Sequence, residues 1–388
     1  MAVINTTRYS ETDTYNIGID MSDTLYMFGP SDVPLLQLIG KDSLSTPCVA
    51  TKHEWLEDSL RGLNSTIVTL GELNNATTAL STTTCTAGDG VKFRINDIVE
   101  VTSAVGVELI RLTSAPTTDT LISAATTGRG YGNAGTGLAH TGLPTLRIIG
   151  NVNLQSAALG GSRSTTKTTE YNYTQIFESA VVLTSTLQSL KKYVEQDEMA
   201  ALIKRELLLA WIQMERTLIS GKKVGPVTSV LAGAMDGILP KITTNAYAKA
   251  GLPLTEEFIL TALNDCWTAG GAPTHIVSGS FQRRQMNKFL DSMRLTSRTD
   301  TVAGSMVDKF SSTFGTVDIL LDRNMPTDTV LIIEKGRIGF GPFADHALKV
   351  VDIAQTTALV NSKQLIGQYT SETRNQAAHA KITGLSTS

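Results

Sequence analysis

The longest helical pattern in the sequence lies between residues 195 and 222. This stretch, EQDEMAALIKRELLLAWIQMERTLISGK, contains neither proline nor glycine before Gly221, and its apolar residues recur at the spacing of an α-helix. Leu208, Leu209 and Ile212 lie outside the main apolar face, and a helix that is apolar nearly all round is typically buried on several sides. The main face carries Met199, Ile203, Leu207, Ala210, Trp211, Met214 and Leu218.

The ends of this helix carry charges that suit its dipole. Glu195, Asp197 and Glu198 open it, and Lys222 follows Gly221, which we expect to form a C-terminal glycine cap. About 26 residues, each rising about 1.5 Å, make a helix of roughly 39 Å. That length exceeds the diameter of a small domain, so we predict that the helix crosses the molecule as a spine.

From about residue 66 to residue 150 the apolar positions recur at every second residue, which indicates β-strands. Val91, Phe93 and Ile95 alternate with polar residues, and turns rich in Thr, Gly and Asn separate the later runs. We therefore predict a β-rich module. Its further strand-like runs are IVEV at 98–101, VELIRL at 107–112 and TLRII at 145–149.

Residues 1 to about 50 form a polar segment that Pro30, Pro34 and Pro47 interrupt. One short helix is predicted near SDVPLLQLI, with Ser31 as its N-terminal cap. Such an arm has little apolar surface to bury against itself. It either packs over its own body or reaches another copy of the chain.

After Pro226 the pattern is mixed. A helix is predicted at 255–271, a strand at 274–280 and a second helix over FQRRQMNKFLDSM. Further strand-like runs follow, and the pattern as a whole predicts an α+β fold. These runs are TVDILLD, DTVLIIE, RIGFGPF, ALKVVDI, QLIGQYTSETR and AHAKITGL.

Composition narrows the class of protein. The chain has 388 residues, enough for two or three substructures, and a formal net charge of -3 from 33 basic and 36 acidic side chains. This balance disfavours a strongly basic nucleic-acid-binding protein. Charged residues make up 18% of the chain, against roughly 25% in typical soluble proteins. A surface that is poor in charge is consistent with one that neighbouring subunits cover.

Cysteine usage and hydropathy bear on the compartment. Cys48, Cys85 and Cys266 are widely spaced and odd in number, which fits neither a disulfide framework nor a metal knuckle. The N-terminal residues lack the pattern of a signal peptide, and no apolar run approaches the ~18 residues that span a bilayer. We expect a soluble protein that is made in a reducing cytoplasm and does not bind membranes.

Two motifs resemble known binding sites. Gly130, Gly132 and Gly135 match GxGxxG, but no helical pattern follows them, so a glycine-rich loop is expected. His53 and Glu54 in HEWLE resemble the start of a zinc-protease motif, yet Glu57 stands where the second histidine is required.

Other charged positions form weaker patterns. Asp318 and Asp322 flank an apolar strand and share a face, where solvated strand ends are the ordinary interpretation. Arg283, Arg284 and Lys288 form a small basic face on a predicted helix, which is expected to be solvated. No catalytic or metal-binding constellation emerges, so we expect a non-enzyme without cofactors.

Three stretches resemble a known family. HEWLEDSL at 53–60, EYNYTQIFESAVVLTSTL at 170–187 and the region 280–333 are similar to tailed-bacteriophage major capsid proteins with the Hong Kong 97-like fold. The order of arm, β-rich loop, long helix and mixed domain also fits. The resemblance spans roughly 15–375 and consists of patterns of apolar and turn residues.

The resemblance implies a domain division. Residues 1–52 would form an N-terminal arm and 53–165 an extended loop with a β-rich module. Residues 166–224 and 351–388 would form the peripheral domain with the spine helix, and 225–350 the axial domain. The structural residues expected to matter most are Trp55, Trp211, Leu207, Ile203, Met214 and Gly221.

The resemblance also implies a function. The chain would be a major capsid protein that self-assembles, through pentamers and hexamers of identical subunits, into the icosahedral head of a virion. Portal, scaffolding and cement proteins would be further partners, and contact with the packaged double-stranded DNA would be non-specific. Assembly would take place in the cytoplasm of a bacterial host. Removing residues 1–40 is expected to abolish assembly and to leave a soluble fold.

Two other functions stay open at this point. One is an encapsulin-like nanocompartment shell with the same fold, and the other is a metal-dependent hydrolase that uses His53 and Glu54. Some capsid proteins of this fold link their subunits through a lysine on the extended loop and an asparagine on a neighbour. Lys92 is the clearest lysine candidate, but no acceptor is identifiable, so we expect no cross-link.

Overall fold

The computed structural model describes residues 32–40, 43–133, 136–153, 155, 167–190, 197–227, 230–293, 309–353 and 359–387. The chain divides into two compact units. The body comprises Met1–Trp55 and Thr169–Ser388, and the inserted unit comprises Leu56–Thr168.

Helices and strands are intermixed along the chain, as predicted for an α+β protein. The helices are α1 (Pro34–Ile39), α2 (Ser185–Ser189), α3 (Glu198–Ser220), α4 (Ile238–Lys241), α5 (Glu256–Thr268) and α6 (Ser280–Met293). The strands are β1 (Lys52–Glu57), β2 (Asn64–Thr69), β3 (Thr84–Cys85), β4 (Asp97–Ser103), β5 (Gly106–Arg111), β6 (Thr145–Asn151), β7 (Thr168–Tyr173), β8 (Gln175–Thr184), β9 (Ala246–Ala248), β10 (His275–Ser278), β11 (Lys309–Ser312), β12 (Gly315–Leu321), β13 (Val330–Ile333), β14 (Ile338–Pro342), β15 (Lys349–Ile353), β16 (Val360–Thr373) and β17 (Ala380–Thr383).

Two sheets provide most of the β-structure of the body. In the first, β14, β15 and β8 each pair antiparallel with the long strand β16. The second has the order β11-β12-β10-β13-β17-β9, in which β10 pairs in parallel with β12, and β17 with β9. The helices and strand-like runs predicted after Pro226 are confirmed as α5, α6, β10 and β12 to β17.

The second sheet separates two apolar cores. Leu331 and Ile333 of β13 face a first core that α1, α3 and α4 also line. Val330 and Ile332 of the same strand face a second core under α5. All four residues are buried, since both faces of the strand are covered. This is why the sequence of β13 is a continuous apolar run.

The spine helix is confirmed as α3, which has 23 residues and is therefore roughly 34 Å long. The Asp197 side chain caps it by accepting a hydrogen bond from the Ala200 N–H at 3.1 Å. The predicted start at Glu195 lies outside the described residues. Leu209 is 49% exposed, so within one chain the apolar middle turns are not covered all round. The buried residues of α3 are Met199, Ala210, Met214, Glu215, Leu218 and Ile219.

Gly221 ends α3, but not through the left-handed conformation that a glycine cap usually adopts. Its φ is −58° and its N–H donates to the Thr217 carbonyl oxygen at 2.7 Å. A Cβ atom at this position would lie 2.5 Å from the Thr217 oxygen and 2.9 Å from the Met235 oxygen. Glycine is therefore needed here because the returning backbone passes so close to the end of the helix.

The described part of the N-terminal arm packs on the body of its own chain. Pro34 occupies the first turn of the predicted short helix α1, where its missing N–H has no cost. Leu35 and Leu36 are fully buried in the first core. The proposed cap Ser31 lies outside the described residues. Residues 32–40 therefore belong structurally to the body.

The inserted unit is the predicted β-rich module with its own core. Its sheet has the order β3-β2-β6-β4-β5, and its β2–β3, β2–β6, β4–β6 and β4–β5 pairings are antiparallel. One face of this sheet is buried and the other is largely polar, as the alternating pattern predicts. Core residues include Ile67, Phe93, Val99, Val101, Ile110, Leu112, Leu146 and Ile148.

The prediction of a strand from Val91 to Ile95 is wrong. Residues Asp89–Lys92 form a 3-10 helix, after which the chain turns. Both Gly88 and Gly90 donate their N–H groups to the Asp119 carboxylate, at 3.0 and 2.8 Å. These contacts come from a distant segment, and they curl the chain where the local alternation favours extension.

We predict that the substitution Gly221→Ala destabilises the body. The added methyl group would overlap the Thr217 and Met235 carbonyl oxygens, and such overpacking costs about 1–3 kcal/mol. Urea unfolding followed by circular dichroism measures the loss. Gly336→Ala is the matched control, because a Cβ at Gly336 meets no atom within 4 Å. Equal midpoints for the two variants would contradict the steric argument.

Candidate functional site

The six predicted structural residues lie in different environments. Met214 is fully buried in the first core, and Trp211 packs beside it with its ring 6.5 Å from that of Tyr369. Ile203 packs against a smaller cluster formed by α3 and β8. Leu207 is half-buried. Trp55 is buried on β1, and Gly221 closes α3 as described above.

The residues of the alternative hydrolase site do not converge. His53 and Glu54 are neighbours on strand β1, so their side chains point to opposite faces. His53 is buried and contacts Glu372, whereas Glu54 is exposed and pairs with Lys52. A zinc-protease motif needs a helix to bring its ligands together, and this segment is a strand. The described residues contain no group of three or more His, Cys, Asp and Glu side chains placed to hold a metal ion.

The structure places the members of the two charged patterns in different environments. Asp318 is half exposed, whereas Asp322 is fully buried, so the expectation of a solvated strand end is wrong for Asp322. The prediction of a solvated basic face on α6 is wrong for Arg283. This residue is buried, and its side chain donates a hydrogen bond to the Ile319 carbonyl oxygen at 3.0 Å. Arg284 and Lys288 are exposed.

In its described part the glycine-rich segment forms a turn, and residues 136–144 after it contain no helix. Gly130 has a φ of +51°, and its N–H donates to the Glu108 carboxylate at 2.9 Å. A Cβ atom on Gly130 would lie 2.1 Å from the Thr136 carbonyl oxygen. Gly135 lies outside the described residues.

Within the inserted unit, the same turn encloses a buried ionic network that the sequence patterns did not reveal. Arg129 is fully buried and makes two hydrogen bonds to Glu108, at 2.7 and 3.0 Å. His140 contacts the same carboxylate at 3.0 Å and Ser103 Oγ at 2.8 Å. Burial alone would raise the pKa of Glu108, but hydrogen bonds from His140 and Arg129 lower it to about 2. The carboxylate is held ionised as a structural acceptor.

A second buried network holds the segment that leads into β1. His53 Nε2 lies 2.6 Å from Glu372 Oε1, and Ser45 Oγ donates to the same oxygen at 2.9 Å. Hydrogen bonds to Cys48 and to Glu372 raise the pKa of His53 to about 9. Burial favours a higher pKa for Glu372, but hydrogen bonds from His53 and Ser45 lower it overall. At neutral pH the pair is therefore ionic.

A third network joins the arm to the spine helix. Glu215 Oε1 accepts hydrogen bonds from the N–H groups of Leu35 and Leu36, at 2.7 and 3.3 Å. Asn324 Nδ2 donates to Glu215 Oε2 at 2.8 Å. The carboxylate thus caps the first turn of α1. One sequence signal pointed to it, since Glu215 is a charged residue within the apolar face of α3.

The described surface carries many exposed apolar side chains. On the body they include Ile176, Val182, Leu209, Trp267, Val351, Ile353 and Leu359. On the inserted unit they include Leu60, Val68, Val91, Val107, Leu143 and Ile149. Apolar residues that are exposed singly are ordinary on folded proteins, and a contiguous patch is what marks a surface that contacts other molecules. None of the described helices is long and apolar enough to cross a membrane.

The stability of the body should depend on the charge of His53. A histidine whose pKa is raised from 6.5 to about 9 contributes stability that is complete below pH 6.5 and lost as the pH passes through 9. We expect the wild type to lose on the order of 2 kcal/mol between pH 6.5 and 10 relative to His53→Gln. Urea unfolding at a series of pH values measures this difference.

The matched control is His275→Gln, because burial lowers the pKa of His275 in the wild type. It should keep the alkaline loss of the wild type. The argument fails if His53→Gln shows the same alkaline loss as the wild type.

The sequence and the fold are similar to those of known proteins. The family model of the SU10 major capsid protein matches residues 3–386. None of the curated protein sequences compared with this chain matches it. The capsid of an empty GTA particle aligns with 99% of this chain and 100% of its own, at 12% identity and a TM-score of 0.53.

Two further structures are similar in different degrees. A chain of Microbacterium phage Oxtober96 aligns with 97% of this chain and 98% of its own, at 11% identity and a TM-score of 0.52. A chain of the holo-SrpI encapsulin complex from Synechococcus elongatus PCC 7942 aligns with 57% of this chain and 77% of its own. Its identity is 10% and its TM-score 0.43, a similarity that supports no conclusion about fold or function.

The GTA and Oxtober96 alignments confirm the predicted Hong Kong 97-like capsid fold. Because the family match runs from residue 3 to residue 386, this chain belongs to the SU10 major capsid protein family.

Proposed function

We propose that copies of this chain assemble, as pentamers and hexamers, into the icosahedral head shell of a tailed bacteriophage that encloses double-stranded DNA. The family match over residues 3–386 carries this proposal. The role of the chain is structural and needs no cofactor. Assembly takes place in the cytoplasm of the bacterial host.

The domain division implied by the resemblance is part of the proposal. Residues 1–52 form the arm, 53–165 the extended loop, and 166–224 with 351–388 the peripheral domain around α3. Residues 225–350 form the axial domain. The compactness of Leu56–Thr168 as a separate unit supports the extended loop.

Strand pairing refines two of these boundaries. β17 pairs with β13 and β9, so the last residues of the chain join the sheet of the axial domain. β14 pairs with β16 and joins the sheet of the peripheral domain. Each of the two domains therefore contributes one strand to the sheet of the other.

The apolar surface of α3 supports assembly. Leu209 is 49% exposed in the isolated chain, and Leu207 and Leu208 are half-buried. Removing apolar surface from water stabilises by roughly 25 cal/mol per Å². Neighbouring subunits that cover the middle of the helix would bury this surface, and heterologous contacts of this kind close into rings.

The charge balance fits a container for DNA. A net charge of -3 is consistent with a shell that lacks a strongly basic lining, and a lining of that kind would bind the duplex through many phosphate contacts. We propose that contact with the packaged DNA is weak and independent of its sequence. Portal, scaffolding and cement proteins are the further partners that this function implies.

Truncation tests the role of the arm. The proposal assigns contacts with other subunits to residues 1–31, so removing them should leave the body folded but prevent closed particles. Sedimentation velocity and negative-stain microscopy of the protein expressed alone measure the outcome. Particles of wild-type size from this variant would contradict the role of the arm.

A deletion of residues 1–40 cannot serve as the same test. It removes Leu35 and Leu36, which are fully buried, and leaves Glu215 without its backbone donors. On these contacts we now predict that the larger deletion weakens the fold of the body, in place of the soluble fold expected from the sequence. It should lower the midpoint of urea unfolding, whereas the 1–31 deletion should not.

The particles should dissociate in hot detergent into single chains of 41.5 kDa. Lys92, the candidate for a cross-link, forms an ion pair with Asp89 at 2.7 Å and donates to the Asn64 carbonyl oxygen at 3.1 Å. A charged and paired ammonium group is a poor nucleophile. Denaturing gels of the wild type and of Lys92→Arg should therefore look alike, and a ladder present only in the wild type would contradict this.

A further inference from the structure

The junction between α1 and α3 buries two carboxylates beside each other. Glu215 and Asp322 are both fully buried, and Asn324 bridges them. The Asn324 side chain donates to Glu215 Oε2 at 2.8 Å, and its N–H donates to Asp322 Oδ1 at 2.7 Å. Asp322 Oδ2 is buried and has no hydrogen-bond partner among the described residues.

The charged side chains that the structure describes around this pair do not neutralise it. Arg216 donates to Asn324 Oδ1 at 3.2 Å, and Arg323 pairs with Asp32 at 3.3 Å. Within the described ranges, no lysine or arginine forms an ion pair with Glu215 or Asp322. Asp32, which precedes α1, adds a third negative charge that acts on Asp322. Two buried negative charges without a cation repel each other.

The side of the junction that α1 provides consists of backbone donors and apolar residues. The N–H groups of Leu35 and Leu36 point at Glu215 Oε1, while their side chains enter the first core. When α1 packs on the body it therefore removes water from Glu215. It replaces that water with two hydrogen bonds.

We propose that docking of α1 onto the body takes up one proton from solvent, which the Glu215–Asp322 pair holds. The helix α1 is then bound more tightly in mildly acidic than in alkaline solution. The proton removes the repulsion between the two carboxylates, and the pair titrates as a unit. This device belongs to the fold itself and does not depend on whether the chain forms a shell.

The direction of the effect follows from the two states of Glu215. In the docked state, burial and the Asp322 charge raise its pKa from 4.5 to about 7, although hydrogen bonds from Leu35, Leu36 and Asn324 act in the opposite direction. Undocking returns water to the carboxylate and removes the largest of these causes. An acid with a higher pKa in the docked state binds a proton on docking, so docking weakens as the pH rises from about 4.5 to about 7 and then levels off.

Hydrogen exchange of the full-length chain tests the proposal. Mass spectrometry of a peptide that covers residues 34–40 gives the protection factor of the α1 amides, corrected for the intrinsic effect of pH on exchange. From pH 5.5 to pH 8.5 we expect the wild-type factor to fall about tenfold or more, since each unit of pKa difference changes the docking constant tenfold.

Two substitutions at the junction separate this effect from other titrations. Glu215→Gln keeps an acceptor for the α1 amides and cannot ionise, so its protection factor should stay high and independent of pH. Asp322→Asn removes the repelling charge, so the fall should move toward lower pH.

The matched control is Glu206→Gln, because Glu206 lies on the same helix and bonds to Ser179 away from α1. It should keep the wild-type profile. A flat wild-type profile, or a wild-type slope in Glu215→Gln, would overturn the proposal. If Glu215→Gln does not fold, a wild-type profile in Asp322→Asn would overturn it equally.

Discussion

The C-terminal half of α3 is the element on which the architecture of the body depends. Met214, Leu218 and Ile219 are fully buried in the core that Phe177 from the first sheet and Leu331 from the second also line. A close-packed core of this kind fixes the position of its walls. The helix ends where Gly221 lets the chain return within contact distance of the last turn. Both sheets therefore take their position from one helix.

Buried charged groups hold particular segments in place within each of the two units. Glu215 caps α1, the His53–Glu372 pair holds the segment before β1, and Arg129 with Glu108 fixes the glycine-rich turn of the inserted unit. Ion pairs that are buried gain little net stability over apolar contacts, but a change in register would leave an unpaired charge, which is costly. In a chain with few charged residues, these groups help to specify the position of each of the three segments.

Local patterns predicted much of the fold and missed parts for identifiable reasons. The α3 helix and strand β12 follow from the spacing of apolar residues, because a helix or a half-buried strand imposes its own period on the sequence. Strand β13 follows instead from a continuous apolar run, since both of its faces are covered. The strand β8 escaped prediction, since Phe177 and Val181 face inward while Ile176 and Val182 face solvent, and alternation is hidden. The chain near Val91 turns because Asp119, which is distant in sequence, binds the N–H groups of two glycines.

The sequence by itself determined the α+β class, the long helix and its apolar character, the separate β-rich module and the resemblance to capsid proteins. These properties reside in neighbouring residues and in the order of the elements. Only the tertiary structure decided that Arg283 is buried while Arg284 is exposed, that His53 pairs with Glu372 across 319 positions, and that Glu215 caps the arm. Such contacts join residues far apart in the chain, so their energy depends on the packing of the whole body and leaves no period in the sequence.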